Sequence, residues 1–407
     1  MNQNLAKQNW YELSSIQIGG AICLPVILIG YELVRTTGLT SSLVAIIIGN
    51  LLLFSCALIT SKMSFANKKT TAENAEEYFG KMGKVFFALI ITFSLSCWFA
   101  IQTEVMSHDL IELLATFTGY KIESSALVSV ILSLLMVVSL LFGLQGVTVL
   151  ATLTLPLMLL TLAISLYCAY TGSSASQPEL GSYSFQGLSL ILAGNIAAVC
   201  DLPTFFRHAA TKREAYKASI MTFLIGIPLV ELVGVFLGYW TESNSLIKAL
   251  LCSDHPLFRL WVGLFILLAG WTTNNTNLYS ASMGMRAICP KLSEKKITLI
   301  IGAFATLLSL LPLLESLSLV LDFMGIFVAS MCGVIITAFC MKKFGLHELS
   351  QKLAWVMGIV AGLLNMFLGS CFTNIAIVDA LIASSFTLIL MRVITTLLNK
   401  KKVLAYE

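Results

Sequence analysis

The sequence predicts an all-α polytopic membrane protein with twelve transmembrane helices. Three observations carry that prediction. Hydrophobic residues make up 57% of the chain and charged ones 11%, with a mean hydropathy of +0.90, whereas a soluble domain carries roughly 25% charged residues. Twelve apolar segments, near 14–34, 40–60, 85–107, 124–143, 147–170, 187–207, 218–240, 259–287, 297–316, 319–341, 353–371 and 374–398, approach the ~20 residues that cross a bilayer core. With a cytoplasmic N-terminus, 21 of the 25 Lys and Arg residues fall on the inside, all but Arg35, Lys121, Lys248 and Arg259. One missed or extra helix in the first half would scramble that asymmetry, so it supports both the count and an orientation with both termini cytoplasmic.

Taken in order, segment 1 carries Gly19-Gly20 and then Pro25, which together predict a break, because glycine loosens the helix and proline removes one of its hydrogen bonds. Glu32 and Arg35 at its outer end stand three residues apart and predict an interfacial ion pair. Segment 2 reads "GLTSSLVAIIIGNLLL" (38–53) at its start. Segment 3 holds Trp98 and Gln102 one turn apart, followed by Glu104, His108 and Asp109. That acidic and imidazole group reads as the solvated outer end of the helix, with a proton relay as the alternative. Segments 4 and 5 are plain spans.

Segment 6 mirrors segment 1: Gly194, Asn195, Asp201 and Pro203 predict a second break at the matching place of the second half. Paired interruptions of this kind point to a transporter with inverted repeats and a midplane site. The repeats then cover about 14–170 and 187–341 of a single domain spanning 1–407, with two appended helices at 353–398. Glu231 in segment 7, Glu315 in segment 9 and Asp322 in segment 10 lie within or near apolar stretches, and the sequence identifies no partner for these three.

Segment 8 is the most informative element. Residues 272–277 read Thr-Thr-Asn-Asn-Thr-Asn inside an apolar stretch. Six neighbours at about 100° per residue point all round a helix, so no rotation hides them from lipid. They must face protein or a water-filled cavity, and polar groups at that depth mark a functional site.

Other signals are negative. The first 13 residues show no short apolar core of a cleavable leader, so the first helix is expected to act as the targeting signal. Ten cysteines are scattered singly, without a CxxC pair. The net charge of +4 follows from topology and predicts no nucleic-acid partner. No Ser-His-Asp order, metal-ligand spacing or phosphate loop suggests an enzyme.

These residues carry a resemblance. The run "WTTNNTNLYSASMG" (271–284) resembles the eighth-helix signature of cytosine permeases and the wider nucleobase:cation symporter family 1. "SCWFAIQ" (96–102), "LPTFFRHAATKREA" (202–215), "GLTSSLVAIIIGNLLL" (38–53) and "GVIITAF" (333–339) are similar to further family stretches. The resemblance implies a five-plus-five inverted repeat of the leucine-transporter type with helices 1 and 6 broken, and cation-coupled import of a nucleobase-like heterocycle into the cytoplasm across the inner membrane. It implies a monomer in the lipid bilayer, with a small heterocycle and a monovalent cation as partners.

The site chemistry follows from the residue types. A flat ring with N–H and C=O groups needs a π-face, which Trp98 offers, and fixed polar partners, of which Gln102 shares the Trp98 face. Asn195, Asn274, Asn275 and Asn277 add carboxamides that both donate and accept. By resemblance, Trp98 and Gln102 match positions that touch substrate, and the sodium ligands map onto the Thr272 and Thr273 hydroxyls with the carbonyls of Ala269, Ala21 and Leu24. The alternative for the threonines is a bond back to their own helix. Segment 6 departs from the cytosine-type pattern, since Gly194, Asn195 and Ala197 stand where an aromatic or hydroxyl residue is expected. Asp201 is compatible with contact to an aminated substrate, with proton carriage, or with capping a half-helix. A same-fold symporter for an amino acid, polyamine or vitamin precursor, coupled to protons, is the competing function. No cofactor is expected beyond the coupling ion.

Overall fold

The computed structural model describes residues 7–120, 122–172, 186–241, 246–251, 255–341, 348–369 and 372–404. It is all-helical, apart from one short parallel contact between Gln8 and Ala209.

Segment 1 is two helices, α1 (Trp10–Ala21) and α2 (Leu24–Thr37), bent by 58°. Asn9 and Glu12 start α1 with a reciprocal capping box. The break falls at Ile22 and Cys23, just beyond the glycine pair. Cys23 is extended (φ −131°, ψ 155°), and Pro25 sits in the first turn of α2, where its missing N–H costs nothing. Next come α3 (Leu39–Asn67), ended by Lys68 in the left-handed region, and α4 (Thr71–Thr118), kinked at Gly80 (φ 70°). Only glycine takes that φ at no steric cost. α5 (Ser125–Leu140) and α6 (Gly143–Gly172) complete the first half.

Segment 6 corrects the sequence expectation. α7 (Gln186–Phe206) is one continuous helix without the predicted break. Gly194 and Asn195 hold helical geometry, with the Asn195 amide bonded back to the Ile191 carbonyl at 3.0 Å. Pro203 lies within the last turn, so the bond it forfeits is near an end that frays in any case.

α8 (Lys212–Ile220) runs through a π-helical turn, Met221–Gly226, into α9 (Ile227–Trp240). The short α10 (Leu246–Leu250) precedes α11 (Pro256–Ile288), α12 (Glu294–Leu308), α13 (Leu317–Cys340), α14 (Glu348–Leu368) and α15 (Ala376–Leu404). Each of the twelve predicted segments overlaps a helix among the described residues, although 297–316 outruns α12, which ends at Leu308. Among the described residues, nine helices are long and apolar enough to cross a membrane, ten with the bent α1–α2 pair. α5 and α12, with 16 and 15 residues, fall short of the ~20 needed.

α1 packs between α6 and α11, α2 lies along α9, and α11 lies along α4. The α2–α9 contact is backbone to backbone: a methyl on Gly30 would meet the Glu231 carbonyl, and one on Gly234 the Ile27 carbonyl. Large apolar side chains such as Leu153, Phe142 and Phe367 are left exposed on the outer faces. Water would not tolerate so much exposed apolar surface, whereas lipid does.

Candidate functional site

A cavity of about 80 Å³ lies where α1, the α1–α2 break, α4, α7 and α11 meet. One water needs ~10–15 Å³ of such space, so the cavity holds more than a single solvent molecule. Of the residues singled out from sequence, Ala21, Trp98, Asn195, Asp201, Thr273 and Asn277 line it. The structure thus gathers residues from four distant stretches into one wall set.

Helical phase sorts the polar run of α11. Thr273, Thr276, Asn277 and Ser280 face the cavity, at the i, i+3, i+4 and i+7 spacing of one helix face. Asn274 and Asn275 face elsewhere, contrary to expectation. Asn274 donates to the Phe99 carbonyl at 3.2 Å and to Thr103 Oγ1 at 2.8 Å, and so serves the α4–α11 contact. Asn275 exchanges with Ser139 of α5, which also accepts from Trp271 Nε1 at 2.7 Å.

Gln102 is a second correction. It is fully buried, neither amide atom has a hydrogen-bond partner among the described residues, and it is not among the cavity-lining residues. The turn separating it from Trp98 carries it past the cavity into the α4–α11 contact, beside Gly270 and Met106.

The threonines meet the broken helix. Thr272 Oγ1 lies 2.9 Å from the Gly19 carbonyl, 2.9 Å from that of Leu268 and 3.1 Å from that of Ala269, and Thr273 Oγ1 lies 2.9 Å from the Gly20 carbonyl. The carbonyls of segment 1 that face them are therefore Gly19 and Gly20, in place of Ala21 and Leu24. Ala21 gives its carbonyl to the Cys23 N–H at 2.8 Å, and Leu24 already opens the next helix. The bond back to the parent helix weighed for Thr272 is present together with the cross-helix contact. Thr272 has a single hydrogen for three carbonyls, so this spot holds more acceptors than donors. Uncharged oxygens in excess suit a hard monovalent cation.

Asp201 accepts from Thr204 Oγ1 at 2.7 Å on one oxygen and from Ser280 on the other. It caps no half-helix, because α7 runs unbroken through it. Glu104 is buried and accepts the Leu314 N–H at 3.0 Å, fastening the turn before α13, in place of the solvated position expected. Asp322 accepts from Ser189 at 2.9 Å. Arg35 lies against the Tyr31 ring, 5.4 Å from its centre.

Residues 2–351 match the family described as permease for cytosine/purines, uracil, thiamine, allantoin. The chain belongs to this permease family. It is accordingly an integral membrane protein of a transport family.

The cytosine permeases of Escherichia coli strains K12 and O6:H1 are each 24% identical to it over 370 residues, covering 88% of this chain and 84% of theirs. Mhp1, a nucleobase-cation-symport-1 family transporter solved in a closed conformation with bromovinylhydantoin bound, superposes with a TM-score of 0.76 at 16% identity over 97% of this chain and 96% of its own. A Na+-coupled sialic acid symporter in a substrate-bound outward-open state gives 0.73 at 13% identity, over 96% and 90%. At such identity the structures speak for the fold alone, an all-helical membrane architecture shared with these transporters.

Several lining residues of this permease escaped sequence reasoning. Gln17 of α1 lines the cavity with an amide nitrogen that has no hydrogen-bond partner among the described residues. Its only sequence signal was a lone carboxamide in an apolar helix. Phe205 adds an aromatic lining residue, with its ring 5.6 Å from that of Tyr279. It read as one apolar residue among many.

Proposed function

We propose that this permease is a secondary symporter that imports a neutral, planar nucleobase-like heterocycle together with sodium, by alternating access between two inverted halves, 14–170 and 187–341, in the inner membrane. The observation that carries the reading is the joint position of Trp98 and the Thr272–Thr273 pair against the break of segment 1. The ring stacks on the indole, while Gln17, Asn195 and Asn277 supply hydrogen bonds along its edges. The cation sits among the Gly19, Gly20 and Ala269 carbonyls and the two threonine hydroxyls, next to the same cavity wall. Cation and ring thereby share α1 and α11, so that each ligand orders helices the other needs. The named ligands of the relatives, cytosine and a hydantoin, are rings of the expected kind.

Asp201 at the cavity supports a second reading, in which protons drive transport and the substrate is aminated. Thermal stabilisation of the purified protein separates the two, because a ligand stabilises only the state that binds it. Cytosine, hydantoins, purines, amino acids and polyamines are each tested with sodium or with choline as the cation. Stabilisation by a heterocycle that is enhanced by sodium is the expected outcome. Stabilisation by amines alone, indifferent to sodium, rejects the assignment.

A further inference from the structure

Glu231 of α9 is fully buried, and among the described residues no ion pair reaches it. Both of its oxygens accept from carboxamides: Oε2 from Asn50 Nδ2 at 2.6 Å, on α3, and Oε1 from Asn195 Nδ2 at 3.0 Å, on α7. Each asparagine gives its other N–H to a carbonyl one turn back, Ile46 at 2.9 Å and Ile191 at 3.0 Å. Backbone carbonyls accept and never donate, so the amide nitrogens, and not the oxygens, must face this cluster.

The two asparagines differ in one respect: Asn195 lines the cavity and Asn50 does not. With both N–H groups of Asn195 consumed, its carbonyl oxygen is what remains to meet a ligand. A side chain that ordinarily donates and accepts is thereby held as an acceptor alone. An apolar residue at 231 would fill the same volume without the cost of burying a carboxylate, but it would leave the Asn195 amide with one acceptor and a choice of orientation.

We propose that Glu231 is a positioning residue that fixes the hydrogen-bond polarity of the cavity by holding Asn195 as an acceptor, so that the site selects a ring presenting an N–H at that point. The proposal rests on the heterocycle-transport reading. Glu231 touches no substrate; it acts through Asn195. A buried acceptor left unpaired by an analogue lacking the N–H makes that analogue bind poorly, which is how such sites discriminate.

The test measures dissociation constants of the purified full-length protein and of Glu231→Gln for cytosine, hydantoin and analogues in which each N–H is replaced in turn by N-methyl. Glutamine keeps the length and shape but can turn either face of its amide to Asn195. In the unmodified protein, one methylated analogue is expected to bind at least about tenfold more weakly than its parent. Glu231→Gln is expected to shrink that ratio to about threefold or less, with the penalties for the other methylated positions unchanged. A purely structural role would weaken all ligands alike and leave the ratios intact, and that result overturns the proposal. Should Glu231→Gln fail to fold, the unmodified protein decides alone: if no single N–H replacement costs tenfold, nothing in the cavity acts as a fixed acceptor. Absence of binding by any heterocycle defeats the transport reading and this proposal with it, whereas binding with unaltered ratios defeats only the role of Glu231.

Discussion

Replacing Trp98 with alanine removes the largest flat surface of the cavity while leaving the hydropathy of α4 sufficient for insertion. Stacking on an aromatic side chain contributes about 1–3 kcal/mol per base in other base-binding proteins. Trp98→Ala is therefore expected to weaken heterocycle binding by about tenfold or more, with unchanged membrane yield; a variant that binds with native affinity would make Trp98 a packing residue. Thr272 and Thr273 call for a different substitution. Valine keeps the branched shape and deletes the hydroxyl, so Thr272→Val and Thr273→Val test oxygen coordination more than packing. Each is expected to abolish the sodium dependence of binding measured by thermal shift. Persistence of that dependence in both variants would remove these hydroxyls from the cation site. Their pairing with the glycine carbonyls was half legible: the Thr-Thr doublet stood out in sequence, but which carbonyls it meets depends on where the chain bends, two residues beyond the glycines.

α2 and α9 meet closely, with Gly30 and Gly234 bringing their backbones together. Overfilling a packed interior costs about 1–3 kcal/mol, so Gly234→Ala is expected to lower the thermal midpoint by several degrees and to disturb Glu231, one turn away. A midpoint equal to the unmodified protein would mean that the two helices can separate without loss. The connection between α7 and α8 carries a pH dependence. The His208 carbonyl accepts the Gln8 N–H at 2.9 Å, and its Nε2 accepts from Arg207 Nε at 3.2 Å. Burial, then the nearby Arg207 and Lys68 charges, pull its imidazole from 6.5 down to about 4. Below pH 6.5 an opened loop takes up a proton that the folded one refuses, so stability falls as pH drops from 6.5 towards 4 and is level above that range. His208→Gln is expected to flatten this slope in pH-dependent thermal unfolding, and an unchanged slope would assign it to other groups.

At the scale of the whole molecule, the charge asymmetry used to count segments also predicts an orientation. With both termini inside, cysteines introduced at position 69 of the α3–α4 connection and at position 291 before α12 are expected to resist a membrane-impermeant thiol reagent in intact cells, while one at position 120, after α4, reacts. The native cysteines are replaced first. Labelling of the reverse pattern would invert the topology. The two short helices α5 and α12 pack against each other and on α4. Their brevity leaves the bilayer to adapt around that side of the molecule.

Membrane class and family were determined by the sequence alone, because hydropathy is a sum over neighbouring residues and the motif "WTTNNTNLYSASMG" is contiguous. The break in segment 1 was also legible, since Pro25 acts on its own backbone. The continuity of α7 was not: glycine is compatible with helical geometry, and a proline in the last turn forfeits a bond only near the helix end, so neither residue type by itself fixes a break. Phase and distance decided the rest. Only the packed structure could show that Asn274, Asn275 and Gln102 turn towards helix contacts while Asn277 and Gln17 face the cavity. Glu231, without an identifiable partner in sequence, gains Asn50 from 181 positions away and Asn195 from 36. Such pairings exist only after helices dock, because the free energy that selects them comes from excluding lipid and water from a shared interior.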